Sequence, residues 1–353
     1  MSLGLAFVGA FTTAHRLARG RGIVTCRIDP ASGAWSVVGG REGLDNPSFV
    51  IADKARLRLY AVHADLDYAT AFAVDPDSGG LSPLGRATTG GLNGVHPVID
   101  PSGRFLIVAN FAGGSLAVLP IGADGGLGDL VQRLDLEGPR GPHRLEQTSP
   151  HPHHLVFDPT GRFLLAPDKG LDRVFVLTFD PERGRLALAD RGHAVMRPGA
   201  GPRHIAFHPS APYAFVVGEL DSTVTACRWD AQAGVLTPHW TVSSLPPDFF
   251  GETIASAIVV SLDGGSVYAS NRGHDSVVHL RFDAASGRLD VVGWTPSGGA
   301  VPRFMTLSPA GARLLVANEQ GDSVTAFDIA SDGALVPRGV VLRTPSPAAI
   351  AFL

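Results

Sequence analysis

Short apolar runs alternate with clusters of Gly, Pro, Asp and Ser along the whole chain, a pattern that predicts short strands joined by tight turns rather than helices. Residues 151–200 show the unit: the stretches 154–158, 162–168, 173–180 and 185–190 are apolar or alternating, and turn residues separate them. The unit therefore has four strands. It also recurs. Seven times a turn glycine is followed two positions later by an apolar residue, at Gly33, Gly79, Gly125, Gly184, Gly234, Gly287 and Gly333, with intervals of 46, 46, 59, 50, 53 and 46 residues. In five copies an Asp stands four positions before the glycine: Asp29, Asp75, Asp180, Asp230 and Asp283. The third strand recurs in register from Ser115, Arg173, Thr223, Ser276 and Ser323.

Four-stranded antiparallel units repeated around an axis make a β-propeller, an arrangement that leaves only short, protected sheet edges. Seven copies predict an all-β, seven-bladed propeller forming one domain over 1–353. The blades are expected near 47–92, 93–150, 151–201, 202–251, 252–301 and 302–345, with 346–353 joined to 1–46. The last follows from the two ends: residues 5–10 align with the second strand at 105–110, and 347–353 is a bare strand with no blade of its own. The ring is expected to close by pairing them. Asp172, Asp221, Asp275 and Asp322, just before third strands, are expected to accept backbone N–H bonds in the turn that enters that strand. Two stretches exceed the basic repeat, 129–150 and 240–252. Each precedes a first strand and is expected as a surface loop near one mouth of the propeller.

A net charge of −4 without any block of like charges argues against nucleic acid or an anionic membrane as partner. No stretch approaches 18 uninterrupted apolar residues, so no membrane span is expected. The expected partner is a small polar or anionic molecule, met by a monomer or homodimer. Two cysteines, Cys26 and Cys227, form no ligand set and are expected as buried thiols, which suits the cytoplasm. The apolar start from Leu3 to Phe11 has no basic segment before it, so export is not expected.

Setting the blades in register gives a candidate site. The turn after the first strand is anchored at Ala52, Asp100, Asp158, His208, Ser261 and Ser308. Five residues earlier stand His153, Arg203, Ser256 and Arg303 in four consecutive blades; eleven residues later stand His63, Phe111, Lys169, Glu219, Arg272 and Glu319. In an antiparallel hairpin the start of the first strand lies beside the end of the second, so both sets belong to one ring at one mouth. Convergent cations, acids and histidines in a concave site suit a small anionic or polar substrate. His96 and His204, near the starts of first strands, join the set. The run His151-Pro152-His153-His154 lacks carboxylate or cysteine partners at ligand spacing, so no metal is expected. No phosphate loop precedes a helix, and no nucleophile elbow is present, so no cofactor is expected.

At these residues the chain resembles the seven-bladed lactonase family, which contains propeller-type 6-phosphogluconolactonases and the fungal carboxymuconate cycloisomerase. The matching segments are 108–114, 150–159, 201–209, 218–224 and 270–276, and the resemblance spans essentially the whole chain. It implies catalytic roles for His153, Arg203, Glu219 and Arg272, all members of the ring. Lys169, Arg303, His96, His204, His63 and Glu319 are then expected to bind substrate. The chain departs from relatives at Lys169, where many carry Leu, at Phe111, where many carry Tyr, and at Val62-His63, where an Asn-Glu-like pair is usual.

The reaction implied first is metal-independent hydrolysis of a sugar-type lactone, with Glu219 or His153 as the base and Arg203 and Arg272 holding an oxyanion or a substrate anion. The same groups suit cycloisomerisation of a muconate-type diacid. A non-catalytic binding propeller is the alternative of another class, since fold alone does not imply activity.

Overall fold

The computed structural model describes residues 4–29 and 32–353, so Leu3, at the head of the apolar start, lies outside it. Seven four-stranded antiparallel sheets are present. Each runs outward from an innermost strand, as in Pro202–Phe207, Tyr213–Gly218, Thr223–Asp230 and Val235–Ser243. One sheet is assembled from both ends of the chain: Pro347–Phe352 pairs antiparallel with Gly4–Ala10, followed by Gly22–Ile28 and Trp35–Glu42. The expected closure is thus what the structure shows.

The seven repeat glycines all lie at positive φ, between 64° and 85°, where a Cβ is disfavoured. They turn the hairpin from third to fourth strand. The preceding Asp braces that hairpin: Gly79 N donates to Asp75 O (2.8 Å), and Asp75 Oδ1 accepts from Asp77 N (2.8 Å). Hairpin tips also touch the neighbouring blade, since a Cβ on Gly234 would stand 2.5 Å from Phe163 Cε1. Hydrophobic faces of adjacent blades fill the space between them, for example Phe215 and Val224 against Val267 and Val278. That packing supplies the core without helices.

The Asp residues before the third strands differ from expectation in their partners. Asp172 Oδ1 accepts from Gly201 N (2.8 Å), Asp275 Oδ1 from Val301 N (2.8 Å) and Asp322 Oδ1 from Ser346 N (2.9 Å). These donors belong to the loop that enters the next blade. With φ near 50° at all three, the side chain reaches the neighbour's loop, and Asp275 Oδ1 also accepts from Gly273 N (3.2 Å) in its own turn, as expected. Asp221 instead pairs with Arg197 and accepts from Thr223 Oγ1 (2.7 Å).

The strand expected at 154–158 is regular only over Val156–Phe157. Pro152 has no N–H to offer, and His151 N donates to the side chain of Asp168 (2.9 Å) rather than to a strand partner. His153 N still reaches Pro167 O (2.9 Å), so this irregular segment stays at the channel wall.

Candidate active site

In six blades the innermost strand carries extra residues near its start that have no counterpart on the second strand. Ala348, Ser48, Val95, Arg203 and Arg303 are single extra residues of this kind, and the remaining blade of the six has the shift between Ala255 and Ile258. In the seventh, Pro152 bridges Asp168 while Val156 pairs with Leu165, an offset of one residue that places the same feature next to His153. A bulge re-aims a side chain. Ala348, Ser48, Val95, His153, Arg203 and Arg303 all line one cavity of about 160 Å³.

Residues at or just past the ends of second strands face them across that cavity, and Glu219 is the hub. Its Oε1 lies 2.8 Å from Lys169 Nζ, and its Oε2 lies 2.7 Å from Arg203 Nε and 3.2 Å from an Arg272 terminal nitrogen. All four side chains are nearly excluded from solvent, at 3–9% exposure, so these contacts escape the screening that weakens surface pairs. Backbone holds the cations in place: Arg203 donates to Ser256 O (3.0 Å) and Arg272 to Ala255 O (3.1 Å). Burial opposes ionisation of Glu219, but Arg272, Arg203 and Lys169 outweigh it and hold the carboxyl well below its usual range. Burial and neighbouring Arg272 push the Arg203 pKa down; a guanidinium beside a carboxylate nevertheless stays charged.

The histidines answer to burial. His153 lines the cavity, and its Nδ1 finds no hydrogen-bond partner among the described residues. Burial first, and then Arg203, hold its pKa well below 6.5, so the ring is neutral. His204 is held neutral by the same two causes and lies 3.0 Å from an Arg203 terminal nitrogen. Beneath it His154 stacks on His204 with ring centroids 4.5 Å apart, and His96 stands 4.0 Å from His154. His96 and His154 line a separate cavity deeper in the channel, of about 400 Å³, which His204 also borders.

The cavity thus gathers His153, Arg203, Glu219, Arg272, Lys169, Arg303 and His204. Glu319 is tied to Arg303 at 3.1 Å and borders a wider outer groove of about 780 Å³ that shares Glu219, Arg272 and Arg303 with the inner cavity. His63 is not brought there. Its ring is fully buried, 2.6 Å from Asp45 O and 2.9 Å from Thr70 Oγ1. The register explains it: Pro47 pairs with His63 just as Pro202 pairs with Gly218, so His63 matches Gly218 and Ala64 matches Glu219. The blade aligns on Asp53, not Ala52, and a slip of one residue turns a strand side chain to the opposite face. Asp53 signals this in the sequence, as the counterpart of Asp100 and Asp158.

Other lining groups went unread. Arg16 comes from a single 3₁₀ turn between strands, and Phe11 lies between two cations, with Arg16 and Arg303 each 4.7 Å from its ring centroid. The insertion over 129–150 is more than a surface loop. Gln147 is buried and donates to Lys169 O and Asp172 Oδ1 (2.8 Å each), which sets Glu146 2.7 Å from Lys169 Nζ. His151 stacks on Phe111 at 4.4 Å instead of facing a ligand set. Among the described residues no group of three or more His, Cys, Asp or Glu is arranged to hold a metal ion. Both cysteines are buried, and burial raises both thiol pKa values. No helix of the described residues is long and apolar enough to cross a membrane.

Comparison with known proteins agrees with the seven-bladed fold. The family described as lactonase, 7-bladed β-propeller, matches residues 5–352. A 6-phosphogluconolactonase of Bacillus subtilis is 32% identical over 356 residues, covering 100% of this chain and 99% of that protein. One from Formosa agariphila is 28% identical over 331 residues, 91% of each chain. Among solved structures, the periplasmic gluconolactonase of Pseudomonas aeruginosa is 31% identical with a TM-score of 0.89, covering 100% of this chain and 99% of that one.

Proposed function

Because this chain belongs to the seven-bladed β-propeller lactonase family, we propose that it hydrolyses a sugar-type lactone in the inner cavity, with His153 as general base and Arg203 and Arg272 holding the oxyanion. The observation that carries the assignment of roles is the contrast between the two candidate bases. Glu219 has both carboxylate oxygens engaged by cations, which leaves neither free to take a proton from water. His153 is neutral and its ring lines the cavity with no ion pair or hydrogen bond engaging it among the described residues. Geometry therefore favours the histidine.

In this mechanism water bound beside His153 attacks the lactone carbonyl carbon, and its proton passes to the imidazole. The carbonyl oxygen gains a negative charge beside Arg203 and Arg272, which are already oriented by Glu219 and by backbone carbonyls. Donors fixed in advance, away from bulk water, lower the barrier without reorganising at the moment of reaction. Collapse of the tetrahedral species breaks the ring C–O bond. The imidazolium returns its proton to the leaving alkoxide, giving a hydroxy acid whose carboxyl group then releases its proton to solvent. Glu219 is the positioning group: it keeps two arginines side by side and balances the imidazolium that forms.

Reaction in H₂¹⁸O tests the reading. Hydrolysis places one solvent oxygen in the product carboxylate; conversion of a carboxymuconate-type diacid without solvent oxygen would instead mark a cycloisomerase.

A further inference from the structure

The charges around the inner cavity are nearly balanced before any substrate enters. Five cations line it: Arg16, Lys169, Arg203, Arg272 and Arg303. The three on its periphery each hold a carboxylate of their own. Arg16 pairs with Asp65, Lys169 with Glu146 at 2.7 Å and Arg303 with Glu319 at 3.1 Å. Arg203 and Arg272, at the reacting centre, share the carboxylate of Glu219, which Lys169 also reaches at 2.8 Å. Five positive charges thus face four negative ones, and the histidines that border the cavity, His153 and His204, are neutral. The sum leaves a single positive charge, carried by the cluster of Arg203, Arg272 and Lys169 around Glu219.

One net charge matches the one negative charge that lactone hydrolysis creates, first on the oxyanion and then on the product carboxylate. It leaves nothing for a second anion. A phosphate monoester brings about −1.5 to −2 charges at pH 7 and three strong acceptor oxygens, and it needs cations free to take them. Here Lys169 and Arg303 are already taken, and Glu146 and Glu319, with Glu252, also border the outer groove through which a longer substrate would extend. Glu146 is held there by construction, because buried Gln147 anchors its loop to Lys169 O and Asp172.

We infer that this enzyme takes a lactone without a phosphate group, and that Glu146 sets this preference by occupying, on Lys169, the place a substrate phosphate would need. The inference rests on the lactone-hydrolysis reading above. Glu146 acts through Lys169 and touches no reacting atom, so it is a specificity residue.

The test compares kcat/KM for glucono-δ-lactone and for its 6-phosphate, each corrected for spontaneous opening, in the wild-type protein and in Glu146→Gln. The wild type is expected to favour the unphosphorylated lactone by at least about tenfold, since juxtaposed like charges cost more than the 1.4 kcal/mol that a factor of ten represents. Glu146→Gln should narrow that ratio about tenfold, mainly by raising kcat/KM on the phosphorylated lactone. Competitive inhibition of the wild type by the two products gives a second readout that needs no variant: gluconate should bind more tightly than 6-phosphogluconate. A preference for the phosphorylated lactone, a tighter 6-phosphogluconate, or a ratio unmoved in folded Glu146→Gln would overturn the inference while leaving the lactonase reading intact. Hydrolysis of neither lactone would remove that reading and this inference with it.

Discussion

The outer hairpins and the inner bulges are repeated equally often in this propeller, and they have diverged in opposite ways. At the outer turn every blade keeps a glycine at positive φ followed two positions later by an apolar residue. At the inner bulge the residues range from small or apolar to charged: Ala348, Ser48, Val95, His153, Arg203 and Arg303. A position that serves the same packing in each blade is held to one solution. A position that contributes one wall of a shared cavity is free to vary, and chemistry comes from the differences. Damage at the two places should therefore be separable, one lowering stability and the other turnover.

Removing residues 347–353 should have the largest effect. It deletes the innermost strand of the closing blade, including buried Ala348, Ala349 and Ile350, and leaves the edge of Gly4–Ala10 unpaired. Calorimetry should show Tm lowered by more than roughly 10 °C or no cooperative transition, far beyond the fraying of a free end. An unchanged Tm would mean that closure contributes little. Arg272→Ala comes next, and on the other side of the comparison. It should lower kcat by about 100- to 1,000-fold, as expected for loss of one oxyanion donor, while the protein remains folded. Gly234→Ala should do the reverse. The φ of 65° and the close approach to Phe163 cost about 1–3 kcal/mol, visible as a lower Tm with kcat unchanged. The smallest effect is the absence of one. With the His153 pKa held well below 6.5, the base stays unprotonated as pH falls through that value. The profile of kcat/KM should then be flat from about pH 8 to pH 6, losing activity only when the depressed pKa is reached. A limb centred near 6.5 would mean that burial does not control this ring.

The fold was legible because turn glycines and strand spacing are local signals, and seven copies average out the ambiguity of any one. Most of the site was legible for the same reason: once blades are aligned, His153, Arg203, Glu219 and Arg272 fall at equivalent positions. The failures are equally physical. His63 was misplaced because one apolar residue looks like the next, and alignment on Ala52 in place of Asp53 slipped the strand by one. Bulges were invisible because they are a mismatch in count between two strands, defined only once both are paired. Ala64, Val95 and Ala348 line the cavity without any polar mark to give them away. The pair of Glu146 with Lys169 depends on a loop anchored by Gln147, and neither periodicity nor spacing records where such a loop folds back.

The most direct test of the division between scaffold and chemistry is kcat/KM for glucono-δ-lactone in His153→Ala, measured beside Tm. Loss of the proposed general base predicts a fall of about 100- to 10,000-fold, with a cooperative unfolding transition retained because the ring borders a cavity and its Nδ1 has no hydrogen bond to lose. Wild-type turnover in the folded variant would contradict the account and move the chemistry away from the bulge ring.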